Sequence, residues 1–210
     1  MEHLTNNQAH NAQYADVYVA PLPERGIEEP LYPPARHSEI AACKSERVQR
    51  EKYFVWKLLA CAIKQRYGKE LDEVHFTKSE HGKWSCDLCE FSLSHSKNVL
   101  CVAISDTKIG VDIEQIPTAP PDLIARKILT EENLERYHGM PQSEKCVFFA
   151  TEWTRRESLF KYGASKAFFT ANRPTDVPTK TQALTLGGKE YILSVATDRE
   201  NIRIVHVCEL

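Results

Sequence analysis

The chain has 210 residues, 27 Lys+Arg against 29 Asp+Glu, a formal net charge of −2, and 42% hydrophobic residues. This balance excludes a nucleic-acid binder of the broadly basic kind, and the apolar fraction excludes a disordered chain. No stretch approaches the roughly 18 apolar residues of a membrane helix, and the polar start from Met1 to Gln8 lacks a signal-peptide core, so a cytoplasmic protein with no membrane partner is expected.

Residues 1–13 are expected to fray, and Asp16–Ala20 reads as a strand. Pro21, Pro23, Pro30, Pro33 and Pro34 make 21–35 a loop. From about His37 to Tyr67 one long helix is predicted. Its apolar face holds Ile40, Val48, Tyr53, Phe54, Leu58, Leu59, Ala62 and Ile63, and Gly68 closes it. Lys44, Arg47, Arg50, Lys52 and Lys57 stud this helix among acids, which by default makes a solvated face. Val74–Lys78 reads as a strand, followed by a turn at Gly82 that carries Lys83. Phe91–Ser94 and Val99–Ile104 are strands separated by the polar loop Ser94–Asn98. Asp106–Lys108 is a hairpin-like connection into a strand over Ile109–Ile116. Pro117, Pro120 and Pro121 break the chain, a short helix spans 121–128, and Thr130 caps another with Glu131 and Glu132 in its first turn. Ser143 is placed to cap a long helix over 144–162 that ends at Gly163. A loop over 164–180 and a closing antiparallel set (181–186, 190–196, 202–208) complete the order.

This order predicts an α+β fold of two pseudo-duplicated halves, 1–105 and 106–210. Each is a long helix packed on a small antiparallel sheet, with the active site in the crevice between them. No residue-level repeat accompanies it.

Two segments concentrate the chemistry. In Gly110-Val-Asp-Ile-Glu114, Asp112 and Glu114 share one strand face while Val111 and Ile113 turn to the core, so the carboxylates should face away from it. Alone, that pattern fits a solvated strand edge. In Trp153-Thr-Arg-Arg-Glu-Ser-Leu-Phe-Lys161, Trp153, Glu157 and Lys161 recur at i, i+4 on one helical stripe. A Glu–Lys pair alone is an ordinary surface stabiliser, but a tryptophan on the same stripe points to a half-buried face lining a cleft. Three carboxylates and an ammonium suit a hard divalent cation shared with a phosphate, because Mg²⁺ prefers oxygen ligands. Ser94, His95 and Ser96 could grip a phosphate through hydroxyl, imidazole and backbone N–H groups. Adjacent strand residues point to opposite faces, which is poor geometry for a Ser–His nucleophile. No Walker loop or G-x-G-x-x-G is present. Seven scattered cysteines fit reduced thiols better than a disulfide framework. Cys86-Asp-Leu-Cys89 lacks a second C-x-x-C, a zinc-spaced His pair or a βαβ context, and reads as loop and strand cysteines.

Together and in this order, the motifs resemble the Sfp-like 4′-phosphopantetheinyl transferases from about residue 36 to 165. The family's F-x-(I/L)-S-H-S reads here as Phe91-Ser-Leu-Ser-His-Ser96, its G-(I/V)-D-(I/V)-E as Gly110-Val-Asp-Ile-Glu114, and its W-x-x-K-E-x-x-x-K as Trp153 to Lys161. Its basic residue on the first long helix looks like Lys52, and its Gly-Lys turn like Gly82-Lys83. Arg156 stands where the family usually has Lys, and Lys52 where Arg is common; these differ in donor geometry. The resemblance implies transfer of the phosphopantetheine arm of coenzyme A to a serine of an apo acyl or peptidyl carrier protein, with release of 3′,5′-ADP. It implies Mg²⁺ held by Asp112, Glu114 and Glu157, with Glu157 taking the serine proton and Lys161 on the pyrophosphate. It also implies His95 and Lys52 on the 3′-phosphate, Ser94 and Lys83 supporting the nucleotide, and Trp153 packed beneath. A monomer with its basic residues on one rim, facing an acidic carrier, is expected. The competing readings are another Mg²⁺-dependent phosphoester enzyme, such as a small-nucleotide hydrolase, and a non-catalytic carrier-protein binder.

Overall fold

In the computed structural model, residues 14–80, 82–163 and 176–210 are described; the expectations for 1–13 and 164–175 fall outside them. The strands are β1 (Tyr14–Pro21), β2 (Phe76–Lys78), β3 (Trp84–Cys86), β4 (Glu90–Ser96), β5 (Val99–Ser105), β6 (Ile109–Gln115), β7 (Thr179–Leu186), β8 (Lys189–Thr197) and β9 (Asn201–His206). The helices are α1 (Pro34–Ala41), α2 (Glu46–Tyr67), α3 (Asp122–Ile128), α4 (Glu131–Gly139) and α5 (Gln142–Tyr162). The chain forms two compact units, 1–109 with 199–210, and 110–198. No described helix is long and apolar enough to cross a membrane.

In the first unit, the single helix expected over 37–67 is two. The chain breaks at Ala42–Ser45, where Ser45 adopts an extended conformation and its hydroxyl accepts the Val48 N–H, capping α2 afresh. Helical periodicity carried across that gap hid the cap. Gly68 ends α2 as expected, at φ 67°, its N–H donating to the Lys64 carbonyl. One face of α2, including Trp56, Leu58, Leu59 and Ile63, packs with Tyr18, Phe91, Leu100, Val102 and Ile104 of the sheet. The buried Trp56 indole donates to the Tyr32 carbonyl at 2.8 Å, so its polar edge is satisfied.

The sheet of this unit is ordered β4-β5-β1-β9. β4 and β5 pair antiparallel with Ser96 opposite Val99, so only Lys97 and Asn98 turn the chain, with Lys97 at φ 53°. Ser94-His95-Ser96 is therefore strand rather than the expected loop; a two-residue turn needs fewer polar residues than the sequence offers there.

The expected closing antiparallel set is also corrected, since β9 leaves β7 and β8 and pairs parallel with β1. An ion cluster marks this junction. Asp16, fully buried, accepts from Arg66 Nη1 at 2.8 Å and from Arg203 Nε and Nη2 at 2.8 and 2.9 Å. The two-pronged Arg203 contact is a strong, register-specific one, and it links β9 and the end of α2 to β1. Asp16→Ala should cost about 3–5 kcal/mol in denaturant unfolding, because the Arg66 guanidinium, 2% exposed, loses the carboxylate that offsets its burial. A loss below ~1 kcal/mol would show that the cluster does not hold the junction.

In the second unit the sheet is ordered β6-β8-β7, with β7 and β8 antiparallel. Thr130 caps α4 as expected, its hydroxyl accepting the Asn133 N–H at 3.0 Å. α5 starts at Gln142, ahead of the expected Ser143 cap, because the Pro141 carbonyl already accepts the Lys145 N–H. α5 is tied to the sheet by a hydroxyl chain that runs from the core to the surface, buried Thr154 to buried Ser194 at 2.8 Å and Ser194 to exposed Thr181 at 2.8 Å. On its other side Phe149 joins a core with Ala125, Ile128, Leu129 and Tyr137.

Candidate active site

Gly110 sets the geometry of the second unit's polar cluster. A Cβ there would lie 1.9 Å from the Ser158 carbonyl oxygen and 2.4 Å from the Tyr162 nitrogen. Only glycine lets β6 approach the α5 backbone so closely. That approach brings Asp112, two residues along β6, to Lys161, whose Nζ donates to Asp112 Oδ1 at 2.7 Å.

Asp112 is 3% exposed, and its neighbours Val111 and Ile113 are buried as well. The expected carboxylate facing away from the core is thus corrected: both faces of this strand are covered. The ammonium of Lys161, at the C-terminal end of α5 where the helix dipole favours a cation, offsets the burial of that charge.

Glu157 and Lys161, one turn apart, are half-buried, and so is Trp153. The stripe read from sequence is therefore the half-buried face it was expected to be. Trp153 stacks on Phe149 with centroids 6.0 Å apart, anchoring the stripe in the apolar core. Burial pushes the Glu157 carboxyl above the usual carboxylate range; Lys161 opposes that rise and the charge of Asp112 adds to it. Asp112, Glu157 and Lys161 thus form one electrostatic unit. Glu114 sits half-buried two residues beyond Asp112 on β6. Arg156, also half-buried, precedes Glu157, and burial lowers its pKa.

Among the described residues, no three His, Cys, Asp or Glu side chains are gathered into a ready metal cluster. What is assembled is a buried carboxylate, a second carboxylate whose charge is disfavoured by the first, and an ammonium. A buried carboxylate and a second one whose proton affinity burial and the first charge raise suit a hard divalent cation, which would relieve their repulsion.

The remaining predicted residues belong to the first unit. Lys52 Nζ lies 3.7 Å from Glu39 Oε1 and 3.4 Å from Cys43 Sγ. His95 is exposed on β4, its Nδ1 3.7 Å from Glu51 Oε2. Glu51 is buried beside Lys52 in α2 and also accepts from Arg47 Nε at 2.9 Å. Ser94 is buried and alternates with His95 along β4, so the two side chains leave opposite faces of the strand. Lys83 is exposed in the turn between β2 and β3, its backbone N–H donating to Ser79 Oγ at 3.1 Å.

Sequence reasoning missed Glu39. Its carboxylate accepts from Arg36 Nη1 at 3.0 Å, Lys78 Nζ at 3.0 Å and Trp84 Nε1 at 2.9 Å, with Lys52 nearby. Only the Arg36–Glu39 helical spacing hinted at it; its other partners come from distant segments. Burial opposes the Glu39 charge, but hydrogen bonds from Trp84 and Lys78 and the charge of Arg36 outweigh it and hold the carboxyl down to about 2. Because the folded-state pKa is depressed, this stabilisation is present above the unfolded value of about 4.3 and is lost as pH falls toward 2. Glu39→Gln should therefore flatten the fall in stability between about pH 4 and pH 2, read as unfolding midpoints across that window. An unchanged acid slope would refute the assignment.

Residues 108–202 match the sequence profile of the 4′-phosphopantetheinyl transferase superfamily. The 4′-phosphopantetheinyl transferase HetI of Nostoc sp. (strain PCC 7120) is 32% identical over 73 residues, covering 34% of this chain and 31% of that protein. The 4′-phosphopantetheinyl transferase psf-1 of Bacillus pumilus is 27% identical over 130 residues, covering 57% of this chain and 54% of that protein. The chain thus spans about a third and about half the length of these curated relatives.

Proposed function

We propose that this chain, whose residues 108–202 match the profile of the 4′-phosphopantetheinyl transferase superfamily, moves the phosphopantetheine arm of coenzyme A to a serine hydroxyl of an apo acyl or peptidyl carrier protein and releases 3′,5′-ADP. One observation carries this reading. Asp112, Glu157 and Lys161 form a single charged unit inside the matched segment, built on a strand–helix approach that Gly110 permits.

In this reading Asp112, Glu114 and Glu157 hold Mg²⁺, which when bound neutralises charge on the phosphoryl group and on the departing diphosphate. Asp112, fixed by burial, is the rigid member of the set. Lys161 keeps one hydrogen bond to Asp112 and aims its remaining N–H groups at the pyrophosphate. Glu157, whose pKa is raised by burial, takes the proton from the incoming serine directly or through water. Trp153 packs below and keeps the stripe from shifting. Residues 1–105 supply nucleotide contacts: Lys52 and His95 to the 3′-phosphate, with Lys83 and Ser94 in support. Residues 106–210 supply the reacting carboxylates. The protein acts as a cytoplasmic monomer, with its basic residues toward an acidic carrier.

The deciding experiment is incubation with coenzyme A, MgCl₂ and a panel of apo carrier proteins, followed by intact mass measurement of the carriers. A gain of one phosphopantetheine group on at least one carrier is expected, and omitting Mg²⁺ should remove it. Hydrolysis of coenzyme A with every carrier unchanged would instead establish a phosphoester hydrolase. Carrier binding without any mass gain would establish a non-catalytic binder.

A further inference from the structure

The C-x-x-C turn between β3 and β4 has no part in the transfer chemistry, yet its two sulfurs face each other. Cys86 Sγ and Cys89 Sγ are 3.9 Å apart, and the Cys86 thiol also donates to the Cys89 carbonyl at 3.2 Å. The turn is pinned from outside: the Asp87 N–H donates to the His75 carbonyl, and the His75 N–H donates to Asp87 Oδ1 at 3.1 Å. Cys86 is half-buried and within reach of solvent, whereas Cys89, 9% exposed, is part of the apolar core. A reachable thiol beside a shielded one is the arrangement of an attacking and a resolving cysteine.

We propose that Cys86 and Cys89 form a reversible thiol–disulfide site that exchanges with a low-molecular-weight disulfide of the glutathione class. In the first step the Cys86 thiolate attacks one sulfur of the small disulfide. That S–S bond breaks, one small thiolate leaves, and a mixed disulfide forms at Cys86. In the second step the Cys89 sulfur, having lost its proton to solvent, attacks the Cys86 sulfur and expels the second small thiolate. The two protein thiols lose two electrons and two protons, and the small disulfide is reduced to two thiols. The hydrogen bond from Cys89 supports this order, because it holds the Cys86 thiol down to about 7 while the Cys89 thiol is pushed up by its contact with Cys86 and by burial. The resulting bond would join the end of β3, which carries Trp84, to the start of β4, which carries His95.

The test uses the full chain and does not depend on the transferase reading. The reduced protein is equilibrated with mixtures of glutathione and glutathione disulfide, quenched, alkylated, and mapped by mass. Under oxidising mixtures the chain should lose two hydrogens, with a Cys86–Cys89 link and the other cysteines alkylated, and a dithiol should reverse the change. Cys89→Ser should stop at one glutathione on Cys86. In the reduced wild-type protein, iodoacetamide near pH 7 should label Cys86 roughly tenfold faster than an ordinary thiol, reflecting its larger thiolate fraction. The proposal is overturned if both cysteines remain alkylatable in the most oxidising mixture, if the wild type stops at a glutathione adduct, or if the link forms with a different cysteine. Wild-type mapping alone decides between these, so a variant that misfolds does not compromise the result.

Discussion

Asp112→Asn will reduce phosphopantetheine transfer by at least roughly 10²–10³-fold, the scale of losing one preorganised charged group at a reacting centre, while the chain stays folded. The substitution keeps the shape of a side chain that is 3% exposed, so packing is preserved. What it removes is the negative charge that Lys161 Nζ contacts at 2.7 Å and that raises the Glu157 pKa. Lys161 is 26% exposed and can turn toward water, so the stability cost should stay near that of one charge-assisted hydrogen bond, about 1.5–3 kcal/mol. Three readings are needed together: transfer to an apo carrier by mass, the unfolding midpoint, and dependence on added Mg²⁺. Loss of transfer with one cooperative unfolding transition and a midpoint lowered by no more than that cost supports the role. Wild-type turnover at saturating Mg²⁺ would remove Asp112 from the chemistry and the proposed function with it.

The sequence made the second unit's site more legible than the first's, for a physical reason. Asp112 and Glu114 on a strand, and Trp153, Glu157 and Lys161 on a helix, follow from the periods of those elements, which need no tertiary information. The half-buried stripe of α5 followed directly. The burial of Asp112 did not, because alternation along a strand reports two faces but not whether the second is covered. In the first unit, Glu39 gathers Lys52, Lys78 and Trp84 from separate segments, and only its spacing from Arg36 on α1 is local, so the sequence pattern does not announce the cluster. Likewise β9, apolar and polar by turns, looked like a continuation of β7 and β8. Its true partner β1 was set by the buried Asp16, whose contact with Arg203 spans nearly the whole chain. The break before α2 was hidden because Ile40 and Val48 satisfy one helical period across a gap that only the Ser45 cap reveals.

Gly110→Ala should destabilise the protein by at least ~3 kcal/mol, the upper range for forcing atoms into a packed interior, and should abolish transfer. The added Cβ would sit 1.9 Å from the Ser158 carbonyl oxygen, 2.4 Å from the Tyr162 nitrogen and 3.0 Å from the Ser158 carbonyl carbon. All three are backbone atoms of α5, so no side-chain rotation relieves the clash and the helix itself must move away from β6. That helix carries Glu157 and Lys161, and moving it separates Lys161 from Asp112. At about 2–4 °C per kcal/mol for a chain of this size, the unfolding midpoint should fall by roughly 6–12 °C. Gly139→Ala is the matched control: its Cβ would meet nothing within 4 Å and its φ lies outside the left-handed region. That change should be neutral or stabilise by about 0.4–1 kcal/mol, through lower unfolded-state entropy, and leave transfer intact. Equal midpoints and equal turnover for the two variants would mean that β6 and α5 are not pressed together at Gly110. Loss of activity and midpoint in the first variant alone would tie the catalytic carboxylates to a contact that only a glycine permits.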